Sequence, residues 1–475
     1  MNKSKILHFA IGPIGSAILG FAALPIMAWF FTPEDIGRIS MLQLICSFSV
    51  ILFSLGLDQA YVREYHEAAQ KPALLKTSIA PGLLLLSATF LLFIILDSTL
   101  LSTLLFSVES AFISVLVVIC LLTTYISRFL SLILRLQEKG LAFSMSQLLP
   151  KAIFLLIIGA FVVTKTSFNF EKLVIAHALS IMAVLLIYSW NTRNEWLVAI
   201  SHPIDKTRLY QMLKYGLPLI IGGVASWAMM ATDKILLRSL SSFEELGIYS
   251  IATSIAMAAG IFSGIFTTIW APTVFKWAAE GINLEKVDQI SEHVLAAVFL
   301  VITVTGLFAW IIPFFLPNSY VKVQYLVTAC MVAPLFYALS ETTSIGISLT
   351  RKTGFSMLAS ILAATLNTFG NYWLIPKFGA AGAATSTACA FWLFLVFRTE
   401  LSCFSWRKIP RLKLYIATLV CVAMSAAVAL LDGKHTPISL IIWSALCIIG
   451  IHTFKNSLCM FANFLSFKKT KYIKI

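Results

Sequence analysis

The chain is predicted to be an all-α integral membrane protein of about fourteen transmembrane helices, built as two parallel-repeat six-helix lobes followed by two further helices. Three observations carry this. Of its 475 residues 59% are hydrophobic and only 12% are charged, whereas an average soluble domain is about 25% charged; so apolar a chain belongs in a bilayer. Apolar stretches of the roughly 20 residues needed to cross hydrocarbon recur along its whole length. Residues 31–40 read FTPEDIGRIS and, 210 positions later, residues 241–250 read SSFEELGIYS, with Glu34, Gly37 and Ser40 recurring as Glu244, Gly247 and Ser250. Each copy follows one long apolar stretch and leads into the next, so the repeat predicts two similar bundles facing one central path.

The first span, 6–31, follows the basic start Met1-Asn2-Lys3-Ser4-Lys5. Such a start is shared with signal peptides, but an apolar run of about 25 residues is too long for a cleaved segment, and more spans follow. It is read as a retained helix. Spans two to six are expected at 39–57, 79–101, 109–130, 147–165 and 172–190, completing an N-terminal lobe over 1–190. Residues 191–214 are polar and contain proline, which makes them a cytoplasmic connector with an interfacial patch at 196–200. Spans seven to twelve, at 215–238, 245–270, 290–315, 323–347, 354–375 and 379–398, make the second lobe, 215–398. Two additional helices, 412–431 and 437–455, lie within 399–456, and 457–475 is a basic tail. The entry helix of each lobe carries backbone breakers, Gly12-Pro13 with Gly15 in one and Pro218 with Gly222-Gly223 in the other. Proline removes a helix hydrogen bond and glycine admits close neighbours, so both helices are places where bending is expected.

Lys and Arg in the short loops set the orientation. With the N-terminus in the cytoplasm, 26 of the 35 basic residues fall on the cytoplasmic side and 7 outside, leaving Lys151 and Lys234 within spans. Both termini are therefore expected in the cytoplasm. Lys468, Lys469, Lys471 and Lys474 of the tail lie beside the anionic leaflet, where each contributes about 1 kcal/mol of attraction. That accounts for the net charge of +14 without nucleic acid. Spans one and seven then enter from the same side, so the duplication is parallel. A fainter echo agrees: Gly140 before span five and Gly354 before span eleven are 214 apart.

Several function classes are disfavoured. The eight cysteines show no CxxC pair and no clustering with histidine, which speaks against a zinc or disulfide framework. No cofactor is expected. No Walker A, HExxH or GxSxG motif occurs in a sensible setting, and the external connections leave no room for a catalytic domain, so the chain is not expected to be an enzyme.

Four segments taken in order resemble one family over nearly the whole length: FTPEDIGRIS, SLGLDQAYVREYHE (Ser54 to Glu67), YGLPLIIGG with ATDKILL and ELGIYS (Tyr215 to Ser250), and NYWLIPKFGAAGAATST (Asn371 to Thr387). The family is the Wzx-type polysaccharide flippases of the multidrug/oligosaccharidyl-lipid/polysaccharide exporter superfamily. The resemblance implies a V-shaped pair of six-helix lobes that opens alternately to each face and turns over an undecaprenyl-pyrophosphate-linked oligosaccharide, such as an O-antigen unit. It also implies partners: membrane lipid, a polysaccharide polymerase and chain-length machinery. The last two helices resemble those of the lipid II flippase, where they form a groove for the lipid tail.

A pyrophosphate and its sugars need a polar, preferably cationic path. A charged side chain at the centre of a span costs about 2.5–3.5 kcal/mol and usually faces a cavity or a partner. Lys151, one turn inside span five, could receive pyrophosphate or snorkel to the interface. Lys234 lies deeper in span seven with Arg238 four residues on, on the same face. Asp233 points about 100° away and pairs elsewhere or titrates during transport. Glu341 in span ten is the first choice for proton coupling, with a plain structural hydrogen bond as the alternative. His177 in span six is a second candidate for coupling to a proton or another ion, though a lone histidine is more often structural. Asp58 and Arg63, with Glu64, sit at the cytoplasmic mouth of the first lobe, where Arg63 could meet phosphate and Asp58 could close a gate with a cation of the other lobe. Asn367 and Asn371, one turn apart, could bond sugars or tie helices together.

Two functions from different classes compete with the flippase. An antiporter for small amphipathic cations would line its cavity with acids, and an assembly partner of a polysaccharide synthase would leave the intramembrane charges dispensable. Lys151, Lys234 and Arg63 against Asp233 and Glu341 tilt the balance to an anionic cargo.

Overall fold

The computed structural model describes residues 3–280, 285–352, 354–433 and 436–465, and among these all regular structure is helical. The first ten helices are α1 (Lys3–Phe30), α2 (Pro33–Phe53), α3 (Leu57–Glu64), α4 (Lys71–Leu96), α5 (Leu100–Phe106), α6 (Ala111–Leu136), α7 (Gly140–Val163), α8 (Phe170–Asn191), α9 (Arg193–Ser201) and α10 (Lys206–Leu240). There follow α11 (Phe243–Ala279), α12 (Glu285–Phe308), α13 (Val323–Thr343), α14 (Ile345–Leu349), α15 (Gly354–Ser405), α16 (Leu412–Leu430), α17 (Thr436–Thr453) and α18 (Lys455–Leu465). Each of the fourteen predicted spans lies mostly on a helix, though the third runs through a break at 97–99 into α5 and the tenth passes over Ser344 into α14. Spans eleven and twelve share α15, whose 52 residues are broken into two legs at Gly379 (φ 53°, ψ −128°). Nine described helices meet the length and composition of a membrane span, with Gly15–Phe30 and Pro437–Thr453 as shorter apolar helices. The chain is a multi-pass membrane protein. The tail lysines 468, 469, 471 and 474 lie outside the described residues.

The repeated segment is a helix start. Thr32 and Asp35 form a capping box, Asp35 N–H donating to Thr32 Oγ1 (3.2 Å) and Thr32 N–H to Asp35 Oδ2 (3.3 Å), with Pro33 at the first helical position. At the matching position Ser242 Oγ accepts from Glu245 N–H (3.2 Å). Each cap satisfies a backbone donor that has no partner inside the helix, and the acids of the first turn complement its positive end. The second copy has gained another duty. Glu245 accepts from Lys322 Nζ (3.0 Å) and from Ala380 N–H (2.8 Å), its carboxylate lying against Gly379. It brackets the break in α15, where the positive φ admits glycine and a Cβ would strike that carboxylate.

A measurable pH effect follows. The hydrogen bond to Glu245 raises Lys322 above the ordinary lysine value. A raised folded-state value stabilises fully below the ordinary lysine pKa of about 10.4 and is lost as pH rises through the folded one. The melting temperature in detergent is expected to fall in that alkaline window, and Glu245→Gln should flatten the fall while lowering stability at neutral pH by roughly 1–3 kcal/mol. An unchanged alkaline profile in the variant would refute this role.

Contacts divide the chain into two compact units, Met1–Ile235 and Leu236–Ile475. The division falls inside α10, later than the connector 191–214 where the sequence suggests a boundary. The physical reason is that α10 up to Ile235 is held by first-unit residues: Gly216 abuts Gly56, Arg208 pairs with Glu64 (2.7 Å), and Trp227 Nε1 donates to Ser47 Oγ (3.0 Å). Through Pro218 and Gly222-Gly223 the helix is uninterrupted.

In the first unit α6 is central. Val117, Leu121, Tyr125, Phe129 and Ile133 recur every fourth residue and are buried against neighbouring helices, which include α2, α4 and α8. Helix α1 lies on α7, with Gly12 against Ser144 and Gly15 against Leu148, so close approach is what these glycines provide. In the second unit α13 is the buried helix, in contact with α11, α12, α15 and α16. The small residues 380–390 of the second leg of α15 are mostly buried, and hydroxyls tie the bundle: Ser291 to Thr342 (2.9 Å), Thr343 to Thr399 (2.7 Å) and Trp392 to Thr418 (3.1 Å). Helix α16 and the segment leading into it are anchored on α12 through ion pairs, Arg407 with Asp288 (2.8 Å) and Lys413 with Glu292 (2.5 Å).

Candidate functional site

In the first unit the charges collect around α3. A two-residue left-handed turn, Leu55 and Gly56, ends α2 and sends the chain into α3. There Asp58 is buried and accepts from Arg128 Nη2 (2.7 Å) and Nε (3.0 Å) of α6. The partner expected for Asp58 in the other lobe is therefore replaced by one in its own unit, because α6 passes directly behind α3. Glu64 holds Arg208, and the exposed Arg63 stacks its guanidinium 4.5 Å from the centre of the Tyr215 ring. Arg63 remains available to an anion; Asp58 and Glu64 are neutralised.

Lys151 follows Pro150 in α7, and its ammonium donates to the Ser16 carbonyl of α1 (2.7 Å) beside Gly20. Among the described residues one bond of three is used, so the group is both a tie between α1 and α7 and a half-buried cation. In α10 Asp233 is buried and Lys234 half-buried. Lys234 makes no hydrogen bond or ion pair among the described residues. His177 of α8 is half-buried, and its side chain makes no hydrogen bond among those residues either.

In the second unit Glu341, near the end of α13, accepts from Arg398 Nη1 (2.7 Å), which also donates to Ser340 Oγ (2.7 Å). The carboxylate chosen for proton coupling is thus one half of an ion pair. Asn367 and Asn371 are buried between the legs of α15: Asn367 Oδ1 accepts from Asn371 Nδ2 (3.3 Å), Ser386 Oγ (3.0 Å) and Thr387 Oγ1 (3.2 Å). Of the two readings these amides allow, the geometry is that of a helix tie.

Sequence reasoning overlooked Arg128 and Arg398, which it assigned to span ends. A signal existed. No glycine or proline follows Arg398 until Pro410, so the helix runs on to Ser405 and carries the arginine inside. Among the described residues no three His, Cys, Asp or Glu side chains gather as metal ligands.

A family model described as polysaccharide biosynthesis protein matches residues 3–278. No curated protein matches the sequence. Among solved structures, the lipid II flippase MurJ in an inward closed conformation superposes with a TM-score of 0.65 at 16% identity, covering 96% of this chain and 99% of that one. An inward-facing multidrug resistance MATE family transporter of the MOP superfamily gives 0.57 at 12% identity over 84% and 97% of the two chains. A crystal structure of MATE in the bent conformation gives 0.51 at 13% identity over 89% and 97%. At such identities the likeness is one of fold.

Proposed function

The chain belongs to the polysaccharide biosynthesis protein family, and from that premise we propose that it is a flippase. It moves undecaprenyl-pyrophosphate-linked oligosaccharide units, of O-antigen or a similar surface polysaccharide, from the cytoplasmic to the periplasmic leaflet of a bacterial inner membrane by alternating access. Both termini are cytoplasmic, and the chain works beside a polymerase and chain-length machinery without itself being an enzyme. One observation carries the choice of cargo: the acids Asp58 and Glu341 are each neutralised by an arginine, while the ammonium of Lys234 is in no ion pair among the described residues and Arg63 is exposed. With Asp233 set against Lys151, Lys234 and Arg63, the balance left for a ligand is still positive, as an anionic headgroup needs and an exporter of organic cations does not. The MATE transporters that share the fold keep the cation antiporter as the second reading. Proton or other ion coupling falls to His177 before Glu341, which is already paired.

Deleting the gene should stop surface polysaccharide while undecaprenyl-linked units accumulate on the cytoplasmic leaflet, measured by lipid extraction and leaflet-specific labelling. Normal polysaccharide in the deletion strain would remove the flippase reading, and lost resistance to cationic drugs would favour the antiporter.

A further inference from the structure

The ion pair of α13 and the second leg of α15 is poorly matched for a structural one. Arg398 is 9% exposed, yet both of its hydrogen bonds leave from Nη1, and its buried Nε has no partner among the described residues. A guanidinium offers five N–H donors in a fork that carboxylates normally take two at a time. Here Glu341 supplies one oxygen to one nitrogen, so the site is short of acceptors. The pair is also lopsided, because the Glu341 side chain is about twice as exposed as that of Arg398 (20% against 11%).

The surroundings allow the carboxylate to leave. Trp270 Nε1 donates to the Glu341 carbonyl (3.0 Å), which holds the backbone while the side chain turns. Tyr337, one turn earlier on α13 and 43% exposed, stands beside the same carboxylate and offers it a second partner. The guanidinium itself is kept in place by the stacked rings of Tyr337 and Phe394, 5.9 and 5.1 Å away, and by Ser340.

We propose that Arg398 is an anion-binding residue of the second unit, which takes phosphate oxygens of the lipid-linked substrate in exchange for the Glu341 carboxylate. A pyrophosphate presents several acceptors and can satisfy the fork that Glu341 leaves half used. This rests on the flippase reading and adds to it a place where the cargo is gripped, with Glu341 as an internal stand-in that keeps the arginine paired when no cargo is present.

The test uses the full chain in lipid nanodiscs with undecaprenyl pyrophosphate as probe and undecaprenol as its uncharged control, binding being read by native mass spectrometry. Arg398→Gln should weaken pyrophosphate binding about tenfold or more, the effect of a lost bond to a charged group. Glu341→Gln, which removes the competitor, should tighten it several-fold, and Arg398→Lys should restore part of the affinity. Melting temperatures follow each variant, and if Arg398→Gln does not fold, Glu341→Gln decides alone. Wild-type preference for the pyrophosphate with no change, or a weakening, in Glu341→Gln would overturn the exchange while leaving the flippase reading intact. No wild-type preference for pyrophosphate over undecaprenol would overturn both.

Discussion

Gly56→Val is expected to destabilise the protein by roughly 2–4 kcal/mol, the combined effect of a left-handed backbone imposed on a branched residue and of overpacking. Gly56 has φ +68° and faces the backbone of Gly216, whose carbonyl a Cβ would strike. This is where α10 meets the α2–α3 turn, flanked by Arg63 on Tyr215 and Glu64 with Arg208. Gly222→Ala in the same helix is the control. Among the described residues no atom beyond the helix's own neighbouring backbone lies within 4 Å of the added methyl, so it should be neutral or stabilise by up to about 1 kcal/mol through helix propensity. Thermal unfolding in detergent distinguishes the two. Equal melting temperatures would mean that α10 is not seated on the turn.

Lys234→Ala is expected to lower transport about tenfold or more, the loss of one charge-assisted contact to phosphate, while stability holds or rises. A cation with no ion pair among the described residues costs about 2.5–3.5 kcal/mol on insertion scales, and removing it relieves the bundle apart from its attraction to the adjacent Asp233. Such a trade of stability against activity is the mark of a functional group. Lys151→Ala should differ, losing transport and also about 1 kcal/mol, because its ammonium bonds the Ser16 carbonyl. Surface polysaccharide in a complemented deletion strain, together with melting temperatures, checks both. Full activity in both variants would show that these cations do not meet the cargo.

Helix positions were legible because a span is a local property: about 20 apolar residues suffice, whatever they pack against. The breaker residues were less so. Pro218 and Gly222-Gly223 marked a place for bending, and α10 runs through them as one helix, while Gly379, unremarked inside GAAGAATST, is where the backbone turns. A glycine's role depends on which backbone or side chain approaches it, and that comes from another helix. Asn367 and Asn371 show the same limit. Their one-turn spacing was visible, but Ser386 and Thr387, which bond Asn367, lie beyond the break on the returning leg.

Composition and period were enough to determine a multi-pass all-α protein, since hydrophobicity and helix length are set by the chain itself. Pairing was not. Whether Asp58 gates or is neutralised, and whether Glu341 carries a proton or holds Arg398, depends on residues 70 and 57 positions away. A charge in low dielectric takes its function from what stands within a few ångströms of it. Only the folded bundle places Arg128 and Arg398 there, leaving Lys234 as a cation without an ion pair among the described residues.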